Sequence, residues 1–275
     1  EDFIIFKKNM SAWDLPLLLK AEKSSDFNRE YGTKGIVFNN YEDLLKIDNI
    51  FKEFPKYKGD FLIQDMIPGG EEQLYCLKAA WDSKGQPLQY FMDRKVRSSG
   101  QFSSCTLTIG VWDDEVFRLG SILIRAISYL GYASIEFKWD SRDKLYKLME
   151  INGRVSMNNS HALRCGVNLP LTMYNNALGL PVLEARRDPK ALPERKILWW
   201  LPLGELGVIV NAARRKEFSL TGYARELYGD GYIVEPFFWR DPLPGIYSLL
   251  QTLGKSVKRA LKVIKARLFS RKTAL

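Results

Sequence analysis

The sequence has a single histidine, His161, and only three cysteines, Cys76, Cys105 and Cys165, none spaced as a metal-binding pair. A zinc site or a histidine-based triad therefore has almost nothing to build on. An odd, scattered set of thiols argues against a disulfide framework and points to a reducing, cytoplasmic compartment. No run of about 18 uncharged apolar residues occurs, so nothing is expected to cross a membrane as a helix. The most apolar stretch, Ile197 to Val210, is interrupted by Pro202, Gly204 and Glu205 and reads as buried strand and turn.

Acidic residues are also missing from one region. From Pro242 to the end there is no Asp or Glu, and eight residues are basic. The net charge of +9, less those eight, leaves +1 for the first 241 residues. The basicity belongs to a tail, which argues against a nucleic-acid-binding body. With 15 Phe, 13 Tyr and 7 Trp, the 275 residues hold ample surface for a core, and disorder is excluded as the main state. The chain begins at Glu1 rather than Met, with no signal-like segment, and reads as part of a longer protein.

Strand patterns occur at 16–20, 35–38, 61–67, 74–81 and 89–96, and the stretch 21–35 reads as polar connection. Residues 41–46 open a short amphipathic helix, residues 97–104 read as a polar loop, and apolar spacing predicts a helix over 115–130. Residues 133–139 and 145–151 read as a β-hairpin. The order of elements suggests an α+β fold with largely antiparallel sheets.

The hairpin carries the most pointed chemistry. Alternation places Ser134, Glu136 and Lys138 on one face of its first strand, and Tyr146, Leu148, Glu150 and Asn152 on one face of its second. A five-residue loop over 141–145 would set Glu136 opposite Glu150. Two carboxylates so placed repel, and a divalent cation would turn that cost into a site, with Asn152 adding a third oxygen. Few oxygen ligands suit Mg²⁺ shared with phosphate, and Arg154 lies within reach of the same phosphates. An exposed polar face is the alternative reading. Lys20, at the end of an apolar strand, is suited to hold a phosphate, and the apolar strand 61–67 leaves into Pro68-Gly69 as a hinge able to read an adenine edge.

Pro16-Leu-Leu-Leu-Lys20, Phe61 to Gly69, Arg94-Lys95-Val-Arg97, Ser134-Ile-Glu-Phe137, Leu148-Met-Glu-Ile-Asn-Gly-Arg154 and Gly166-Val-Asn-Leu-Pro170 follow one another in order. Over residues 14–182 this set resembles the ATP-grasp superfamily, in particular its carboxylate–amine, D-aspartate-ligase-like branch. The resemblance implies two α+β lobes enclosing a nucleotide cleft: a small lobe over 1–63, a large lobe with the metal site over 64–182, and an extension over 183–275.

The resemblance also assigns roles. Lys20 would contact the α/β-phosphates of ATP, and Gln64, Asp65, Met66 and Ile67 would form the adenine hinge. Glu72, or alternatively Glu71, would accept the ribose hydroxyls. Glu136, Glu150 and Asn152 would hold one or two Mg²⁺, Arg154 would steady the transferred phosphoryl group, and Lys95 and Arg97 would make further phosphate or substrate contacts. Such enzymes join a small-molecule carboxylate to an amine through an acyl phosphate, and a cell-envelope or polysaccharide precursor is one substrate this reading admits. Two other readings stay open: a non-catalytic nucleotide-binding or membrane-associated remnant, and a kinase-like phosphotransferase. The family's usual N-terminal α/β domain would lie upstream of Glu1, so either the chain is a fragment, or a partner or self-association supplies that wall of the acceptor site, or full activity is lost. His161 reads as a loop residue.

Ile246, Leu250, Leu253, Val257, Leu261, Ile264 and Leu268 fall within about 40° of one line on a helix, with the basic residues on the opposite arc. The stretch 246–272 is a basic amphipathic helix that could dock on the protein's own body or lie on an anionic membrane surface. Nucleic acid fits least, because aromatics are not interleaved with the charges.

Overall fold

The computed structural model describes residues 15–254 apart from 58, 101, 183–195, 215 and 217. The basic residues of the tail, 255–272, lie outside the described residues. Among the described residues no helix is long and apolar enough to cross a membrane. The chain divides into two compact units, one comprising the residues up to Gln73 together with Lys138–Lys147, the other Leu74–Phe137 and the residues from Leu148 onward.

In the first unit, β1 (Leu17–Ala21) is the middle strand of an antiparallel sheet between β2 (Ile36–Phe38) and β3 (Phe61–Asp65). Helix α1 (Ser24–Tyr31) precedes β2, and α2 (Tyr41–Leu45) and α3 (Ile47–Glu53) follow it. Alternation along β1 buries Leu17, Leu19 and Ala21. Leu17 and Leu19 pack with Phe38, Leu44 and Ile47, while Ala21 joins Phe27, Phe54 and Tyr57. The stretch 21–35 is thus not merely polar connection. Phe27 fills a ring of edge-on aromatic contacts, and that burial recruits a polar segment into a helix.

The second unit holds a seven-stranded sheet. Its strands are β4 (Leu74–Trp81), β5 (Pro87–Ser98), β6 (Cys105–Gly110), β7 (Gly131–Asp140), β8 (Leu145–Asn152), β9 (Ile197–Trp200) and β10 (Gly231–Val234), in the order β10-β9-β6-β5-β4-β7-β8. Pairings β4–β5, β5–β6 and β6–β9 are antiparallel and β9–β10 is parallel. Helix α4 (Asp114–Ala126) opens on Asp113, whose carboxylate accepts from the Glu115 and Val116 amides at 3.0 Å each. It lies close on β4, because a Cβ at Gly120 would come within 2.5 Å of Leu77 Cδ2. Helices α5 (Asn159–Arg164) and α6 (Leu169–Ala177) follow the hairpin.

The apolar stretch 197–210 is not strand and turn throughout. β9 takes its first four residues, and Pro202 then opens helix α7 (Pro202–Arg214), a position where the missing N–H costs nothing. Helix α8 (Leu220–Glu226) precedes β10. Residues 97–104 are only partly loop, since β5 continues through Ser98. The expectation of an α+β architecture with largely antiparallel sheets is met.

Candidate active site

In the first unit the β1–β3 register pairs Lys20 with Leu62 and Leu18 with Gln64. Paired residues share a face, so Lys20 and Gln64 stand together on the side away from the core, with Leu18 and the exposed Leu62. Asp65 pairs with Leu17 and belongs to the other face. Met66 and Ile67 lie beyond the strand, half-buried, and the Met66 amide is tied to the Pro16 carbonyl at 3.0 Å.

The loop that follows is organised by a residue that sequence reasoning did not select. Lys138 Nζ donates to the carbonyls of Ile67 at 2.8 Å and Gly69 at 2.9 Å. The lysine is buried, and desolvation lowers its pKa, partly offset by the charges of Glu72, Glu71 and Asp140. Its only sequence signal was its place on one strand face with Ser134 and Glu136. Lys138→Met leaves two carbonyls without their donor and is expected to cost about 1–3 kcal/mol of stability, read from the denaturant midpoint. A midpoint equal to wild type would show that this lysine does not hold the loop.

In the second unit a chain of registers gathers the charged groups. Cys76 pairs with Asp93, and its Sγ lies 3.1 Å from Ser134 Oγ. Ser134 and Glu136 alternate onto one face of β7, and Asp93 and Lys95 onto one face of β5. Glu136 and Lys95 thus look out from the same side of the sheet, opposite the α4 side. The Glu136 carboxylate is half-buried and makes no hydrogen bond or ion pair among the described residues. Burial raises its pKa, the Lys95 charge partly offsets this, and Glu150 pushes it up again. Glu150, on β8 beside β7, is exposed and accepts from Asn152 Nδ2 at 2.7 Å, which leaves the Asn152 oxygen for another partner. Arg154, just past β8, is exposed.

The hairpin differs from the five-residue loop expected. The turn is four residues, 141–144, closed by Lys144 N–H to the Asp140 carbonyl at 2.9 Å, with Lys144 at φ 57°. Near the turn Trp139 faces Tyr146, ring centroids 5.0 Å apart. That contact fixes the facing pair next to the turn, and further along the two strands Glu136 and Glu150 feel each other's charge.

Arg97 and Lys95 part company. Sequence alternation puts them on one face, but the β5–β6 register shifts between them: Lys95 pairs with Thr108 and Arg97 with Leu107. The bulge at Val96 turns Arg97 to the other side. There its guanidinium donates to Glu205 at 2.9 and 3.2 Å, pairs with Glu226, and lies 4.2 Å from the Tyr223 ring centroid. Buried Glu205 also accepts from Tyr223 at 2.6 Å, Trp200 at 2.9 Å and Thr106 at 3.0 Å. Burial would raise the Glu205 pKa, but these donors hold it below the usual range. The charge of Arg97 is already balanced.

Beside Glu136 lies a fully buried polar network. Lys78 pairs with Asp93 and donates to Asn158 Oδ1 at 2.9 Å, and Asn158 Nδ2 donates to Asp93 at 2.8 Å. His161 is a buried helical residue of α5, not a loop residue. Its Nε2 donates to the Ile197 carbonyl at 3.1 Å, and its Nδ1 lies 3.0 Å from Thr108 Oγ1 and 3.5 Å from Asp93 Oδ2. None of the three cysteines is in a disulfide, and burial pushes the Cys105 thiol up to about 11.

The donors suit a hard cation. A half-buried carboxylate without a partner, a second carboxylate and an amide oxygen are an oxygen-only set. No group of three or more His, Cys, Asp or Glu is gathered for a metal among the described residues.

The chain is of α+β architecture, with these charged groups gathered on the sheet of its second unit. No family model matches it. It is similar to the D-aspartate ligase of Enterococcus faecium (strain Aus0004), 25% identical over 169 residues that cover 57% of this chain and 38% of that protein. The chain therefore spans well under half of this curated relative. Similar solved structures are the biotin carboxylase domain of Hydrogenobacter thermophilus 2-oxoglutarate carboxylase, at 17% identity and TM-score 0.48 over 68% of this chain and 41% of that one. Another is the N5-carboxyaminoimidazole synthetase of Staphylococcus aureus, at 14% identity and TM-score 0.46 over 67% of this chain and 46% of that one. The resemblance carried by the ordered motifs is borne out by the D-aspartate ligase similarity.

Proposed function

We propose that the chain is the nucleotide-handling part of an ATP- and Mg²⁺-dependent carboxylate–amine ligase. The observation that carries the reading is Glu136, a half-buried carboxylate with no partner among the described residues, on one sheet face with Lys95 and beside Glu150 and Asn152. The similarity to a D-aspartate ligase supports the class of reaction.

In this reading the substrate carboxylate oxygen attacks the γ-phosphorus of ATP, the bond to the ADP oxygen breaks, and an acyl phosphate forms. The amine then displaces phosphate to give the amide, losing its proton to solvent. Mg²⁺, when bound, neutralises the phosphate oxygens. Glu136, Glu150 and Asn152 would hold the ion, and Lys95 and Arg154 would place positive charge on the transferred group. Lys20 would hold the α/β-phosphates, Gln64 to Ile67 the adenine, and Glu72 the ribose. The chemistry asks for positioning and charge more than for a proton-transfer side chain. Arg97, already paired with Glu205 and Glu226, supports the fold in this reading. The stretch 246–272 would bring the protein to an anionic membrane surface at the cytoplasmic face, in keeping with an acceptor on an envelope or polysaccharide precursor.

The test is ADP and phosphate release from ATP and Mg²⁺ with D-aspartate as the probe carboxylate and a panel of amines. Release should require both substrates, and Glu150→Gln should lower it by on the order of a hundredfold or more. A second reading is nucleotide binding without turnover. It predicts Mg²⁺-dependent ATP binding, lost in Glu150→Gln, and no ADP release with any pair. Binding that ignores both Mg²⁺ and Glu150 would refute the metal assignment in either form.

A further inference from the structure

The last described part of the chain presents a surface that neither the fold nor the proposed reaction uses. Phe238 and Asp241 form an isolated antiparallel bridge, and the Asp241 amide donates to the Phe238 carbonyl at 3.2 Å. This tight turn puts Trp239 and Arg240 at its tip, both exposed, with the Trp239 side chain fully in solvent at 103%. A helical stretch over 243–254 follows. Its start is pressed onto the turn, since a Cβ at Gly245 would come within 2.6 Å of Phe237 Cδ1. Turn and helix start therefore form one packed piece.

Along that helix Leu243, Ile246, Tyr247, Leu250 and Leu253 are all exposed. Their spacing makes them one stripe. Ile246, Leu250 and Leu253 are also the first three members of the apolar line read from the sequence. A helix docked on its own body would bury that line, yet Leu250 is 62% exposed and Leu253 54%. Two protruding aromatics, Phe238 and Trp239, adjoin it.

We propose that the Phe238–Trp239–Arg240 turn and this stripe form an interfacial anchor for an anionic lipid surface. The proposal rests on the reading of 246–272 as a surface-binding stretch and adds to it the residues that insert. Charge complementarity selects the occupant: no acidic residue follows Asp241, eight basic residues do, and exposed Arg240 adjoins Trp239 in the chain. The basic residues draw the segment to the surface. The stripe gives it an apolar face to bury at the acyl boundary, and an indole with an apolar body and one N–H suits headgroup depth. Attraction by charge alone would leave the outward apolar stripe without a role.

The experiment is flotation of the full chain with phosphatidylcholine vesicles, with and without phosphatidylglycerol, at low and high salt. Wild type should bind only the phosphatidylglycerol vesicles and keep part of that binding at high salt. Trp239→Ala should weaken binding about tenfold and remove the salt-resistant part. Ile246→Ser/Leu250→Ser should act likewise, with ATP affinity unchanged as the check on folding. If both variants bind like wild type while a variant with Lys255, Lys258, Arg259 and Lys262 changed to Gln does not, the anchor is overturned and the basic stretch stands. If the wild-type chain ignores phosphatidylglycerol, both fall. If it dimerises without lipid and Trp239→Ala makes it monomeric, the surface is an interface between copies and the lipid proposal is overturned.

Discussion

Glu136→Gln is expected to leave the nucleotide-free protein at least as stable as wild type near neutral pH while abolishing Mg²⁺-dependent turnover. Burial raises the Glu136 pKa, Lys95 offsets this only in part, and Glu150 adds to it. The folded state therefore prefers the protonated acid. Stability from this group is present at low pH and declines as pH rises from the ordinary value of 4.5 through the raised one. The amide has no such decline. A divalent cation reverses the preference, because it competes with the proton, so Mg²⁺ should bind more tightly across the same window. Thermal unfolding from acid to neutral pH, with and without Mg²⁺ and ATP, separates the two effects. Mg²⁺ and ATP should raise the wild-type midpoint and barely move the variant. Loss of a metal ligand worth several kcal/mol in the transition state corresponds to a rate fall of about a thousandfold. A variant that turns over like wild type, or that loses stability at neutral pH, would rule the site out.

Lys78→Met should be among the most destabilising single changes in the chain, at about 3–5 kcal/mol. It leaves Asp93 as a fully buried carboxylate whose remaining neighbours are Asn158 and His161. Burial alone would raise Asp93, but the Lys78 ammonium and the His161 hydrogen bond outweigh it and hold its pKa below 3.8. Burial alone would lower Lys78, but Asp93 outweighs it and holds its pKa above 10.5. The pair's contribution is therefore fully present between those two values. It is lost as pH falls through the folded Asp93 pKa or rises through that of Lys78. Denaturant midpoints of Lys78→Met, Asp93→Asn and the double variant form a cycle, and the double variant should cost much less than the sum of the singles. Additive losses would mean that the pair is not a unit.

Much of this was legible because strands alternate. Ser134, Glu136 and Lys138 fell on one face by counting, as did Leu17, Leu19 and Ala21 on the core side of β1. What was not legible depends on long-range placement. Helix α1 has only Phe27 as its fully buried residue, too little for a periodic signal, and it forms because Phe54, Tyr57 and Phe61 surround that ring. Helix α7 was hidden by a proline and a glycine that sit harmlessly in its first turn. The hydrogen bonds of Lys138 to carbonyls some seventy residues earlier, and the meeting of Lys78, Asp93, Asn158 and His161, have no local pattern. A turn one residue shorter than counted also changes which side chains face each other next to it, as Trp139 and Tyr146 do, and no composition rule reports that.

The irregularity at Val96 makes β5 a strand with two addresses. Up to Lys95 its side chains serve the polar face that holds Glu136, and from Arg97 on they secure α7 and α8 through Glu205 and Glu226. Val96 is the extra residue that lets both addresses coexist in one strand. Its loss would restore strict alternation with Arg97 next after Lys95 and still on the side it now faces, so the pair with buried Glu205 should survive the deletion, whereas an Arg97 substitution would strip Glu205 of its countercharge.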